Sequence, residues 1–339
     1  MEIDFSKPKR LSEVSTPDHV RSVVPVNTTQ PSEDNMQMFF QKLATNSKFV
    51  ALLSAVPEIS DEFVSIPASE PNVPMRLGDL YSDCNRDLPR EELTALCECV
   101  ADELVVTRSE ALYLEVVTRK QSASLEWFDH RVGRITASTA YEVLHTSQDQ
   151  PSSSLLKRLC SSEHKKVSTA PLEWGRTNED TAHSDYSRQQ KEGHTEFSST
   201  AAGLVVNPKY PYLGATPDGW VGCDCCGRGI VEIKCPYTYR SMHPDAINDS
   251  TFYLQRFSDQ LKLDPKHKYY YQVQMQLALC EVNYCDFVVW TLAGMATIHI
   301  YRNEAFFNQV QPISSRLLQE LDFTRTSDQK FAKPCESSH

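Results

Sequence analysis

Three residues in two short stretches have the types and spacing for metal-assisted cleavage of a phosphodiester. Asp218 lies in Gly214-Ala215-Thr216-Pro217-Asp218-Gly219, and Glu232 and Lys234 lie in Ile230-Val231-Glu232-Ile233-Lys234-Cys235-Pro236. Polar and apolar residues alternate from Val231 to Lys234. A strand repeats its side-chain direction every two residues, so Glu232 and Lys234 project from one face while Val231 and Ile233 face the core. Tyr212 to Thr216 reads as a second strand, ended by Pro217, which has no N–H for a sheet ladder. The Cys- and Gly-rich stretch from Gly222 to Gly229 has the composition of a hairpin loop joining these two strands. Such a hairpin is expected to bring Asp218 beside Glu232.

Two carboxylates, water and a substrate phosphate make up the hard-oxygen set that Mg²⁺ or Mn²⁺ prefers. The ion would stabilise the pentavalent phosphorane charge and acidify the attacking water, and Lys234 would position that water or neutralise developing charge. Each stretch alone reads more readily as ordinary surface, a solvated Glu and Lys on an edge strand or a Pro-Asp-Gly turn, than as a catalytic site. Their order and spacing together favour the catalytic reading.

Other residues extend the set. Glu179 sits in a helical pattern over 172–192 and could add a metal-binding carboxylate, although an acid on a helix is commonly a solvated one. Gln272 and Gln276 are four apart on the expected helix Tyr269–Cys280, beside a buried stripe of Val273, Leu277 and Cys280. Gln272 could hydrogen-bond a phosphate or the attacking water. Arg131 and Arg134 precede a helix start capped by Thr136 or Ser138, within a helical stretch over 125–145. Helix amides, a hydroxyl and arginines form a phosphate cradle, and the same stretch reads as a capped helix with surface arginines.

The rest of the chain must position these groups. Residues 1–35 are rich in Ser, Thr, Pro and charge and are expected to be a disordered tail, with Lys7-Pro8-Lys9-Arg10 a weak nuclear address. An amphipathic helix over Met36–Val56 and a Pro-containing linker over Pro57–Pro74 account for 36–90. Residues 91–322 form the folded domain, beginning with a helical pattern from Glu91 to Val117. Strands are expected over 203–235, at Phe287–Trp290 and at Thr297–Tyr301, then a helix over 304–321 and a flexible tail over 323–339. The fold class is therefore α/β, a mixed central sheet flanked by helices with a helical and disordered N-terminal extension.

Net charge is −11, which argues against a uniformly basic nucleic-acid-binding surface and predicts a local basic groove instead. The acidity is uneven, with 20 Asp+Glu against 12 Lys+Arg in residues 1–120. The eleven cysteines come without a signal-peptide-like opening or an apolar run of about 18 residues, so an intracellular, reducing setting without a membrane partner is expected. Cys223, Cys225 and Cys226 could bind zinc or an iron cluster, but C-x-C-C is not one of the usual arrangements of two C-x-x-C pairs and has no evident fourth ligand. Free thiols in a surface loop are the favoured reading.

Taken in order, Trp-x-x-x-Arg-x-Gly-x-Ile-Thr-Ala-Ser at 127–138, Trp-Gly-x-x-x-Glu at 174–179, Thr-Pro-Asp-Gly at 216–219, Glu-Ile-Lys-Cys-Pro at 232–236 and Gln-Val-Gln at 272–274 resemble the YqaJ-like viral recombinase family. These are phage lambda-type exonucleases of the PD-(D/E)XK superfamily, with a restriction-endonuclease-like fold. The resemblance spans residues 120–300. It implies a Mg²⁺-dependent 5′-to-3′ exonuclease on double-stranded DNA, active in recombination, repair or mobile-element processing. In it Asp218, Glu232 and Glu179 would be metal-binding acids and Lys234 the catalytic lysine. Arg131, Ser138, Thr216 and Gln272 would stand where the family holds the 5′-terminal phosphate. Thr216 keeps the hydroxyl of the family's more usual Ser. One departure is Ala170, where the family's phage prototype has a lysine. A structure-specific endonuclease or nickase, and a catalytically silent DNA- or partner-binding module, are the alternatives. The sequence leaves a homo-oligomer or an annealing or recombination partner undecided, and places a nuclear address only in a eukaryotic source.

Overall fold

The computed structural model describes residues 32–46, 72–80, 89–147, 151–160 and 168–320. The expected C-terminal tail, the basic run Lys7–Arg10, most of the expected N-terminal tail and most of the Pro57–Pro74 linker lie outside the described residues. The chain forms two compact units, Met1–Phe63 and Val64–His339. In the first, α1 spans Glu33–Asn46 and starts where the Ser32 hydroxyl accepts from the Asn35 amide at 3.3 Å, so it begins ahead of the helix expected at Met36.

In the second unit, two helices replace the single pattern expected from Glu91 to Val117, α2 over Arg90–Glu103 and α3 over Arg108–Val117. The break is set by a capping box. Thr107 is extended, its hydroxyl accepts from the Glu110 amide at 3.2 Å, and the Glu110 carboxylate accepts from the Thr107 amide at 2.8 Å. The helix expected over 125–145 is likewise broken into α4 (Leu125–Asp129), a short β1 (Ile135–Thr136), a 3₁₀ turn at Ala137–Thr139 and α5 (Ala140–His145). Gly133, at φ 76°, makes a turn that side chains resist. Then come α6 (Ser153–Cys160) and the long α7 (Ala170–Gly193), which carries Pro171 in its first turn.

Five strands follow, β2 (Ser198–Ala201), β3 (Val205–Asn207), β4 (Tyr210–Ala215), β5 (Gly219–Cys223) and β6 (Gly227–Lys234). A small hairpin of β7 (Leu254–Phe257) and β8 (Gln260–Leu263) precedes α8 (Lys268–Leu279), β9 (Tyr284–Thr291), β10 (Gly294–Tyr301) and α9 (Glu304–Glu320). The main sheet has the order β10-β9-β6-β5-β2 and is mixed, because β6 runs parallel to β9 while its other pairings are antiparallel. A second sheet has the order β1-β4-β3.

This topology corrects the expected hairpin. The partner of β6 is β5, whereas the strand ending before Pro217 is β4 and belongs to the second sheet. The loop is correspondingly short, with Cys223 paired to Gly227 and Gly227 at φ 73°. Pro217 and Asp218 are thus the crossing from one sheet to the other.

Alternation along β6 serves two helices. Val231 and Ile233 pack with Ala182 and Tyr186 of α7, and Ile230 packs with Val273 and Leu277 of α8. Met275 and Leu279 of α8 join Ile135 and Leu213 of the second sheet, so α8 spans the seam between the two sheets. Each such buried aliphatic side chain contributes roughly 1.5–3 kcal/mol. The architecture is the mixed α/β sheet flanked by helices that the sequence predicts. Among the described residues no helix is long and apolar enough to cross a membrane.

Candidate active site

Glu232 is 2% exposed and its carboxylate is held from three directions. Oε1 accepts from Gln272 Nε2 at 2.6 Å and from Lys234 Nζ, and Oε2 accepts from Gln276 Nε2 at 2.7 Å. The two glutamines are one turn apart on α8, which presents them together. Gln276 Nε2 also reaches the Thr216 carbonyl at 3.3 Å, while its buried Oε1 has no hydrogen-bond partner. Lys234, beyond Glu232 on the same strand face, keeps 20% of its side chain exposed and places Nζ 4.9 Å from the centre of the Tyr269 ring.

Asp218 extends the β5–β6 ladder by one step. Its amide donates to the Val231 carbonyl at 3.0 Å, and its Oδ2 accepts from the Ile233 amide at 2.6 Å. The expected proximity to Glu232 is realised through this pairing. Burial, then the negative charge of Glu232, raise the Asp218 pKa well above the usual carboxylate range, against the pull of Lys234. Glu179 on α7 belongs to the same electrostatic group. Although much of its surface reaches solvent, the protein around its carboxyl raises its pKa, Lys234 lowers it and Glu232 raises it. For Lys234 burial opposes the charge, but Glu232 and Asp218 outweigh it and the ammonium is held protonated.

Three carboxylates therefore share one ammonium in a largely desolvated place. That excess of oxygen-borne negative charge, with the unpartnered Gln276 oxygen beside it, fits a hard divalent cation.

The residues expected at a phosphate divide. Trp127 Nε1 donates to the Thr216 hydroxyl at 3.2 Å, and the Arg131 guanidinium lies 4.1 Å from the centre of the Trp127 ring. Burial pulls the Arg131 pKa down to about 10, which leaves it charged at neutral pH. Through the Thr216 carbonyl and Gln276, this group connects to Glu232. Ser138 is exposed, with its hydroxyl 3.1 Å from that of Thr136, and the box that caps this turn is formed by Thr136 and Thr139. The parallel pairing of Thr136 with Gly214 puts Ser138 and Thr216 at the same end of neighbouring strands.

Arg134 is a correction. Expected at a phosphate, it is fully buried, and its guanidinium donates to the carbonyls of Pro211 at 2.9 Å, His130 at 2.7 Å and Met75 at 3.2 Å. It fastens three chain segments and has no face for a ligand. Gln276 and Tyr269 were missing from the expected site. The four-residue spacing from Gln272 was the available signal for Gln276, and nothing local marked Tyr269.

Residues 126–283 match the family model of the YqaJ-like viral recombinase domain, the family that the motifs resemble. No curated protein matches the chain. Among solved structures, the alkaline exonuclease LHK-Exo from Laribacter hongkongensis is similar at 25% identity, over 59% of this chain and 93% of that one, with a TM-score of 0.42. The shutoff and exonuclease protein of Kaposi's sarcoma-associated herpesvirus is similar at 11% identity, over 70% of this chain and 75% of that one, with a TM-score of 0.42. A phage-related exonuclease from Haemophilus somnus 129PT is similar at 11% identity, over 56% of this chain and 93% of that one, with a TM-score of 0.37.

Proposed function

We propose that this chain, with its match to the YqaJ-like viral recombinase domain over residues 126–283, is a deoxyribonuclease that hydrolyses double-stranded DNA from 5′ ends with Mg²⁺ or Mn²⁺. The observation that carries the reading is the gathering of Asp218, Glu232 and Glu179 around a protonated Lys234 at the seam of the two sheets. Asp218 and Glu232 would hold the cation, with Glu179 as a further acid, directly or through water. The ion would supply charge stabilisation at the phosphate and a lowered pKa for water.

The chain's own residues do the positioning. Gln272 and Gln276 fix the plane of the Glu232 carboxylate. Lys234, protonated and tied to Glu232, acts as a fixed positive charge beside the phosphate oxygens rather than as a base. Arg131, stacked on Trp127, and the Thr216 hydroxyl offer a charged fork and a polar contact to a backbone phosphate, with Ser138 at the same strand end.

A second reading keeps the chemistry and changes the cut. At Ala170, the first residue of α7, the chain has no ammonium where the prototype of the resembled family has one, which weakens a grip on the terminal phosphate. Linear 5′-phosphorylated, linear 5′-hydroxyl, nicked and covalently closed circular DNA, each with Mg²⁺ and with Ca²⁺, separate the readings. The expected result is degradation of linear DNA with Mg²⁺ alone, fastest with a 5′-phosphate, and untouched closed circles. Cutting of closed circles favours an endonuclease, and no cleavage of any substrate favours a silent binding module.

A further inference from the structure

At the opposite end of the β5–β6 hairpin from Glu232, three thiols and an imidazole converge. Cys223 ends β5, Cys225 and Cys226 occupy the turn, and Gly227 at φ 73° closes it. From a different part of the chain, His194 caps the C-terminus of α7 and turns its ring toward this loop. The Asp224 amide donates to the Thr195 carbonyl at 3.0 Å, which ties the two segments together. His194 Nδ1 lies 3.1 Å from Cys225 Sγ, 3.4 Å from Cys223 Sγ and 3.6 Å from Cys226 Sγ. Cys225 Sγ lies 3.3 Å from Cys223 Sγ and 3.7 Å from Cys226 Sγ, and all four atoms fall within 4.8 Å of one another.

We propose that Cys223, Cys225, Cys226 and His194 form a structural zinc site that clamps the C-terminal end of α7 to the β5–β6 hairpin. Zn–S bonds of about 2.3 Å and a Zn–N bond of about 2.0 Å put tetrahedral ligand atoms roughly 3.5–3.8 Å apart, close to the spacings observed. The cysteines are free rather than paired in disulfides. Three soft sulfurs and one imidazole suit zinc and not Mg²⁺, and four ligands from the chain leave no open position for a reacting water. The Cys226 amide donates to Cys223 Sγ at 3.3 Å, a bond that steadies a thiolate. Sequence spacing alone lacks this site because its fourth ligand comes from the far end of a helix.

The site is separate from the carboxylates. Glu232 is five residues along β6 from Gly227, about 17 Å at ~3.4 Å per residue. Yet the clamp joins the helix that carries Glu179 to the hairpin that carries Glu232 and adjoins Asp218. Its rigidity therefore bears on how those acids meet.

The full-length chain, purified under reducing conditions without added metal, should carry about one zinc by elemental analysis. Asp218→Asn should retain it, whereas Cys225→Ser and His194→Ala should lose it. On the unaltered chain, Co²⁺ loaded after chelation should give the intense visible bands of tetrahedral thiolate-bound cobalt, bleached by added Zn²⁺. Chain without zinc and with only the weak spectrum of octahedral cobalt would overturn the proposal. So would a disulfide within the loop under the same conditions.

Discussion

Glu232 has both carboxylate oxygens engaged by Gln272, Gln276 and Lys234, so its orientation is set by the protein alone. Gln276→Leu keeps the volume and removes one of these donors. It should cost about 1–3 kcal/mol in denaturant unfolding, because a buried carboxylate oxygen loses its partner, and should slow cleavage as well; an unchanged unfolding midpoint would remove Gln276 from this role. Asp218 makes a pH prediction. Its folded pKa is raised, so the folded state favours the protonated acid, and the metal-free chain loses stability as pH rises from the unfolded value of about 3.9 through the folded one. In the proposed site a divalent cation would take the proton's place. Thermal melts from acid to alkaline pH should therefore show the stabilisation by Mg²⁺ growing with pH, and a gap independent of pH would contradict the assignment. Arg134 and Arg131 look alike in sequence and differ in the fold. Arg134→Lys leaves main-chain carbonyls short of donors and should destabilise by roughly 1–3 kcal/mol, whereas Arg131→Lys should chiefly weaken DNA binding, measured by fluorescence anisotropy.

At the scale of elements, the alternation from Val231 to Lys234 was legible because a period of two has one structural meaning, and α7 and α8 were legible from their length and apolar spacing. Sheet membership was not. Tyr212–Ala215 and Gly219–Cys223 both have strand composition, and what separates them is the distant pairing of β4 with β1 against the local hairpin of β5 with β6. The broken helix over 125–145 has the same origin, since its apolar periodicity continues across Gly133 while the backbone does not. The β5–β6 hairpin also has a sharp steric requirement. A Cβ at Gly229 would lie 2.4 Å from the Tyr284 ring, so Gly229→Ala should destabilise by about 1–3 kcal/mol in chemical unfolding. Wild-type stability for that variant would show that β9 can shift away from β6.

For the whole molecule, the site is assembled from parts far apart in sequence. Trp127, Glu179, Asp218, Glu232 and Gln272 come from α4, α7, the β4–β5 crossing, β6 and α8. The motifs exposed the members of this set, and the Arg134 partners at Met75 and Pro211 and the approach of His194 to the cysteine loop stayed hidden because both depend on contacts with distant segments. A net charge of −11 sits beside a site proposed for a polyanion, so a cation and a few local arginines must carry the attraction. The proposed site lies within Val64–His339, so a chain beginning at Val64 should retain cleavage of linear DNA. The most direct measurement of the central claim is nucleotide release from a linear 5′-phosphorylated duplex in Mg²⁺-replete buffer by Glu232→Gln and Lys234→Ala, with the melting temperature of each followed. Release should fall by at least about 10²-fold in both while each still unfolds cooperatively; full activity in both would contradict the carboxylate–lysine site.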